Sequence, residues 1–454
     1  MFDRLPTAGV VSERSPQQYV VIVLCVLLVV PTGIVAVEFL DSLGRETAGE
    51  RVASQASVPF EDREAVAPPA NGTTVVTVQT FRRNFLVAFA PDGRVRYFEN
   101  SLDRYHDVDP IPGETHTVEF VGAAYDGDTT YEVVRRVNLT TGETTEVYRH
   151  AVPRTDRTHR WHDVDRLDDH RLLVADIAHD AVFVVNTTTG ERSYEWPAQA
   201  AYNLSSGGPF PRDWTHLNDV ERLPDGRYLV SLRNQDSVVF LDPGAGIQAS
   251  WTLGSDDDHS VLYEQHNPDF LPAATESRSG QPATGSLLVA DSQNRRVIEY
   301  RRVGDRWVEQ WTWTDDRMAW PRDADRLPNG HTLIGDTNSG RVLEVDERGA
   351  VVWQVGGLAS YDVERLGTGD ESTGGPTAAA ANLESRTVDA DDTVGSEVAR
   401  VVGALIPGKL RNTAAFLAPL WLSPLGQSAA VVAVLSTLSL GVLFLVRRLR
   451  GNWQ

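Results

Sequence analysis

The chain has 454 residues and carries 63 Asp and Glu against 42 Lys and Arg, a net charge of −21, with Lys409 its single lysine. Nothing in that balance neutralises a run of phosphates, which excludes a nucleic-acid partner. An acidic, lysine-poor surface is expected of a protein working in concentrated salt, where the Debye length falls to about 3 Å or less. The one cysteine, Cys25, lies in an apolar run, so disulfides within the chain, thiolate metal sites and a thiol nucleophile in the soluble part are excluded too.

In chain order, a short N-terminus (1–18) precedes Tyr19–Val37, an uncharged apolar run near the ~20 residues that cross a bilayer. It is longer than a signal-peptide core and lacks a clear A-x-A site, so it reads as an uncleaved anchor. A linker (38–72) leads to the main domain (73–357). An acidic spacer rich in Gly, Ala and Thr (358–400) and a proline-broken interfacial segment (401–428) follow. A second apolar run, 429–446, ends in a tail (447–454) with Arg447, Arg448 and Arg450. Those arginines place the C-terminus in the cytoplasm. Two spans then return the N-terminus to the same side, with membrane lipid as partner at both ends and residues ~40–428 outside. Sequons begin at Asn71, Asn138, Asn186 and Asn203, all in that outer segment, which is compatible with a glycoprotein.

The main domain is a repeat. His162-Asp-Val-Asp, Asn218-Asp-Val-Glu, His266-Asn-Pro-Asp and Arg322-Asp-Ala-Asp start nearly superimposable units, and His106-Asp-Val-Asp starts a fifth. An apolar residue follows each first position by five: Ile111, Leu167, Leu223, Leu271 and Leu327. Three further strands follow per unit, the last often bearing a tryptophan (Trp196, Trp251, Trp311, Trp353). Four short antiparallel strands recurring in this way make an all-β propeller. Asn84–Glu99 supplies a degenerate further blade, giving six.

Comparing units separates architecture from chemistry. The carboxylates recur in nearly every unit and are expected to satisfy backbone donors in the turns. The first position instead varies among His, Asn and Arg, and the innermost strands bring these positions to one channel mouth. His216 lies two residues before Asn218 on the same strand face, and the Pro224-Asp225-Gly226 turn returns Arg233 towards His216. The predicted cluster is His162, His216, Arg233, His266 and Arg322, a set suited to an oxyanion such as sulfate, phosphate or carboxylate. Trp161, Trp214 and Trp320 stand just before members of the set, either walling an aromatic slot or packing blades.

WHDVDRL, DWTHLNDVERLPDGRYLVSLRNQDSVVFLD, LYEQHNPDFLP and WPRDADRLPNGHTLIGD resemble the arylsulfotransferase family, six-bladed propeller enzymes, in a membrane-anchored form like its haloarchaeal members. The resemblance spans roughly His106 to Gly356. It implies transfer of a sulfuryl group from an aryl sulfate donor to a phenolic acceptor without the nucleotide PAPS, and the guanidiniums in the cluster lead to the expectation of no metal or other cofactor. By the resemblance His266 is the transiently sulfated histidine, His216 and Arg233 hold sulfuryl oxygens, and His162 is the remaining histidine, with His106 competing for that role. Arg322, Asn218, Trp214 and Trp320 are expected to bind substrate. The disulfide of the family's secreted members is missing here, and the two spans are a further departure. Two other readings stand beside this one: a non-catalytic propeller binding a sulfated or glycosylated partner, and a Ca²⁺-dependent propeller hydrolase using the repeated carboxylates.

Overall fold

The computed structural model describes residues 16–80, 83–154, 160–272, 285–368, 374–387, 408–419 and 421–451. The chain divides into two compact units. One contains the helices Pro16–Ser42 and Pro424–Gly451, within which Gln18–Ser42 and Leu425–Leu449 are each long and apolar enough to cross a membrane. Both helices run past the apolar stretches legible in sequence. The Glu38 carboxylate joins them, accepting from the Ser423 amide (2.9 Å) and hydroxyl (2.6 Å).

The other unit is a six-bladed propeller whose blades are antiparallel sheets. The innermost strands are Ser360–Arg365, Arg104–Pro110, Trp161–Asp168, Leu217–Arg222, His266–Leu271 and Pro321–Arg326, numbered here as blades 1 to 6. The core explains why these strands are apolar on both faces. It consists of six clusters, each filling the gap between two adjacent blades. Val75 packs towards blade 2 while its neighbour Val76 packs towards blade 6, as the two-residue strand period dictates.

Asn84–Glu99 does belong to a sixth blade, but that blade is closed from the far end of the sequence. Ser360–Arg365 pairs with Thr74–Gln79 and serves as its inner strand. The propeller therefore extends beyond the expected boundary at 357. Part of the expected spacer is also ordered. The short helix Ala378–Ala381 presents the Ala378 amide to both oxygens of Glu299 (3.0 and 2.9 Å), and Arg386–Thr387 adds a parallel strand beside Trp313 and Thr314. Glu299 is held in turn by Arg326 at 3.1 Å, with both side chains fully buried. Residues 369–373 and 388–400 of that spacer lie outside the described residues.

One irregularity recurs in every blade. The pairing of the inner strand slips at the start of each repeat, leaving His106 and Asp107, His162, Asn218, Asn267 and Pro268, Arg322, and Tyr361 out of register. A β-bulge bends its strand and re-aims a side chain. Repeated around a closed ring, it gathers first-position side chains about the axis.

Candidate functional site

Six first positions converge: His106, His162, Asn218, His266, Arg322 and Tyr361. The His106 and His162 rings stack at 4.4 Å, and His162 meets His216 edge-on at 5.1 Å. Tyr361 stands in the middle, with ring centroids 5.3, 5.6 and 6.3 Å from His106, His162 and His266 and the Arg322 guanidinium 4.9 Å over its face. Trp320 lies edge-on to His266 at 6.1 Å, with Arg233 5.7 Å over its ring. Asn218 reaches the same wall, its amide donating to the Gln265 carbonyl at 3.0 Å. The hairpin returns Arg233 beside His216 as its turn predicts, Leu232 pairing with Leu217.

Hydrogen bonds assign the imidazole protons. The Ser292 hydroxyl donates to the Pro321 carbonyl (2.6 Å), so its oxygen accepts from Nδ1 of His266 at 2.8 Å. The lone pair of His266 is thereby left on Nε2. Burial holds this imidazole well below its usual pKa, reinforced by Arg322 and Arg233, so it is neutral at pH 7. His216 donates from Nδ1 to Asp213 at 2.5 Å; burial and then Arg233 lower its pKa, against the pull of Asp213.

His106 and His162 are not equivalent. His106 spends both nitrogens on the protein, Nδ1 on the Trp161 carbonyl (3.1 Å) and Nε2 on the Gln79 amide (3.0 Å). His162 keeps a buried Nδ1 with no hydrogen-bond partner. Gln79, invisible to repeat comparison because it sits on another strand, also receives Arg322 at 3.3 Å. Arg233 is held by Glu264 at 3.0 Å, and Glu264 by Gln293 at 2.9 Å.

Around this cluster lie buried donors with no partner in the protein: Nε of Arg233, Nε of Arg322, Nε1 of Trp320 and Oη of Tyr361. Such atoms are costly to bury unsatisfied, by about 1–3 kcal/mol each. Arg322 keeps its charge although burial lowers its pKa to about 10. Arg160 adds positive potential, depressing His162 and His216 after burial has done so. The backbone is strained here as well, with positive φ at His216 (45°), Glu264 (47°), Asn267 (32°) and Trp320 (70°).

The repeated carboxylates form a separate belt. Four of them clamp the next blade rather than their own turn: Asp362 accepts from the Val108 amide (2.6 Å), Asp107 from Val164 (3.4 Å), Asp163 from Val220 (2.6 Å) and Asp323 from Val363 (3.0 Å). Burial pushes Asp163 up to about 8 and Asp362 to about 6, and raises Asp219 and Asp323 well above the carboxylate range. Among the described residues the belt brings no three ligand atoms within 4.8 Å of one another. Asp236, Asp257 and His259 do so, outside the histidine cluster.

Two tryptophans from the sequence reading sit in the core. Trp161 stacks between blades with Tyr148 and His150, and Trp214 packs among Leu217 and Val230 while its indole donates to the Ser206 carbonyl at 2.7 Å. Ser292, Gln79 and Tyr361 escaped that reading. Ser292 directly follows the second strand of its blade, as Arg233 directly follows the second strand of its own, which was the available signal.

No curated protein matches the chain. Among solved structures it is similar to a protein of unknown function from Bacteroides caccae, at 15% identity and a TM-score of 0.45, covering 66% of this chain and 100% of that one. It is similar also to a putative 6-phosphogluconolactonase from Bacteroides fragilis NCTC 9343 (11%, 0.43, 66% and 100%). A third is virginiamycin B lyase from Staphylococcus aureus (7%, 0.38, 64% and 87%). Over residues 159–357, which carry His162, His216, Arg233, His266 and Arg322, the chain matches the arylsulfotransferase (ASST) family.

Proposed function

We propose that the chamber transfers a sulfuryl group between phenols through a covalent intermediate on His266. One observation carries the reading: a neutral imidazole whose lone pair is fixed on Nε2 shares a buried cluster with donors that lack partners. An aryl sulfate supplies what both lack. Its sulfur takes the Nε2 lone pair, and its oxygens accept from Arg233, Arg322 and His162. Charge that builds on those oxygens and on the departing phenolate meets donors already in place, which is how oxyanion sites accelerate reactions. Splitting transfer into two displacements at nitrogen replaces one hard step by two easier ones. His216 and His162 flank the sulfuryl group, and the aryl ring of donor or acceptor lies towards Trp320. No step draws on a metal or a nucleotide.

The two apolar helices support membrane anchoring, and the arginines after the second support a cytoplasmic C-terminus with the propeller on the opposite side. In a Cys25→Ser background, Asp225→Cys on the propeller reacts with an impermeant maleimide added to intact cells if this orientation holds; protection of that cysteine reverses it.

The function is tested by mixing the protein, in high salt, with an aryl sulfate and no acceptor. A burst of about one phenol per site, expected of a covalent step, should leave a sulfuryl group on the peptide containing His266. His266→Asn abolishes both, and Arg233→Ala slows the burst by about 10²–10³-fold. A normal burst from His266→Asn overturns the covalent route. Binding of the ester by the wild type with no burst makes the propeller a binding module.

A further inference from the structure

Phe416 lies outside every repeat, yet it reaches the cluster. It stands in the last turn of the helix Gly408–Leu417, well after the closing strand Ser360–Arg365, and residues 415–419 group with the propeller. Its ring centroid is 5.8 Å from the central carbon of the Arg322 guanidinium, within the ~6 Å reach of a cation–π contact. Its neighbour Ala415 is buried, which fixes where the segment lies.

Exposure orders the contacts from inside to outside. Tyr361, against three imidazoles, is 2% exposed; Arg322, over Tyr361, is 9%; Phe416, over Arg322, is 39%. Phe416 is thus the outermost of the three. The second guanidinium is built alike, with the Trp320 ring 5.7 Å from Arg233. Both cations assigned to sulfuryl oxygens therefore have an aromatic ring beside them that solvent still reaches.

We infer that Phe416 forms the outer wall of the aryl subsite, packing on the ring of the donor and then of the acceptor while Arg322 holds sulfuryl oxygens. This rests on the sulfotransfer reading and names the residue that reads the aryl group. A sulfuryl oxygen takes the unpartnered Nε of Arg322, and the ring joined to that sulfuryl group comes to rest beside the ring already on the guanidinium. In each half-reaction the entering and leaving atoms stand in line across sulfur, as in phosphoryl transfer. The first forms the bond from His266 Nε2 to sulfur and expels the donor phenolate with the S–O electron pair. In the second an acceptor phenolate forms the new S–O bond, and the N–S pair returns to Nε2. Because Nε2 holds one side of sulfur both times, donor and acceptor oxygens use the other side. One place, walled by Phe416, serves both rings.

The test uses the full chain in detergent and high salt. Acceptor-free bursts with nitrophenyl sulfate give a half-saturating concentration, which Phe416→Ala should raise by about 3–10-fold, the worth of one aromatic pair. The loss should appear there and not in the rate at saturation. The half-saturating concentration of a phenol acceptor should rise by the same factor, and Phe416→Trp should restore both. Inorganic sulfate, which has no ring, should compete with the donor equally well in wild type and Phe416→Ala. Unchanged half-saturation for either ring overturns the inference. So does an equal weakening of inorganic sulfate, which limits Phe416 to propping Arg322. If wild type gives no burst, the sulfotransfer reading fails; calorimetric binding of nitrophenyl sulfate and of inorganic sulfate to the same proteins then decides by the same two outcomes whether Phe416 reads the ring.

Discussion

Nδ1 of His266 lies 2.8 Å from the Ser292 hydroxyl oxygen, whose own proton is committed 2.6 Å away to the Pro321 carbonyl. Ser292 therefore does for this imidazole what a carboxylate does in a hydrolase triad, selecting the tautomer without adding charge. Ser292→Ala should slow the burst by roughly 10–10²-fold, the equivalent of one buried hydrogen bond of about 1–3 kcal/mol. Ser292→Thr should recover most of it. Stopped-flow phenol release measures both, and an unslowed Ser292→Ala would show that the tautomer is set elsewhere.

His106 and His162 share a local sequence and a stacked contact but separate in their bonding. His106→Ala leaves the Gln79 amide and the Trp161 carbonyl unpaired, so it should lower stability by about 1–3 kcal/mol. His162→Ala should lower the burst rate and barely shift the melting temperature. Urea unfolding together with burst kinetics on both variants decides the assignment.

The belt makes stability fall with rising pH. A carboxyl whose folded pKa is raised binds its proton more tightly in the native state, so its contribution is complete below the unfolded value near 4 and is lost as pH climbs through the folded value. For Asp163 that window runs from about 4 to about 8. The buried histidines act oppositely, destabilising as pH falls through roughly 6.5. Melting temperature should thus peak near neutrality and decline towards pH 9. Asp163→Asn, which still accepts from Val220, should flatten the alkaline limb; an unchanged slope would mean the belt does not titrate there.

Glu299 and Arg326 form a fully buried ion pair that also pins the segment at Ala378. Removing one partner leaves an uncompensated charge, so Glu299→Ala should cost about 3–5 kcal/mol. It should also speed limited proteolysis between residues 374 and 387. Proteolysis without loss of global stability would limit the role of the pair to docking.

Much of this site was legible because five first positions carry their repeat with them: His106, His162, Asn218, His266 and Arg322 announce themselves through the Asp and the apolar residue that follow. The same signature stands at 361, where Tyr361-Asp-Val-Glu-Arg-Leu366 copies Asn218-Asp-Val-Glu-Arg-Leu223. It was hidden by its short spacing from Arg322, since that blade lacks the long loops of the others, and by pairing across the whole domain to Thr74–Gln79. Gln79 and Ser292 were harder to read, because each works through a partner on a different strand. The tryptophans illustrate the converse. Proximity in sequence to a site histidine put Trp161 and Trp214 beside the cluster on paper, but alternation along the strand turns Trp161 away from His162, and Trp214 packs into the core from the loop before its strand.

The closing strand also sets the order in which this molecule can mature. Ser360–Arg365 completes the first blade, brings Tyr361 to the axis and adds Asp362 to the belt. Until the ribosome has passed residue 365, the remaining blades have an open edge and the chamber one missing wall, although every histidine has been made. Chains released early are therefore not weak enzymes. They lack the last wall entirely, and their open strand invites pairing with another chain.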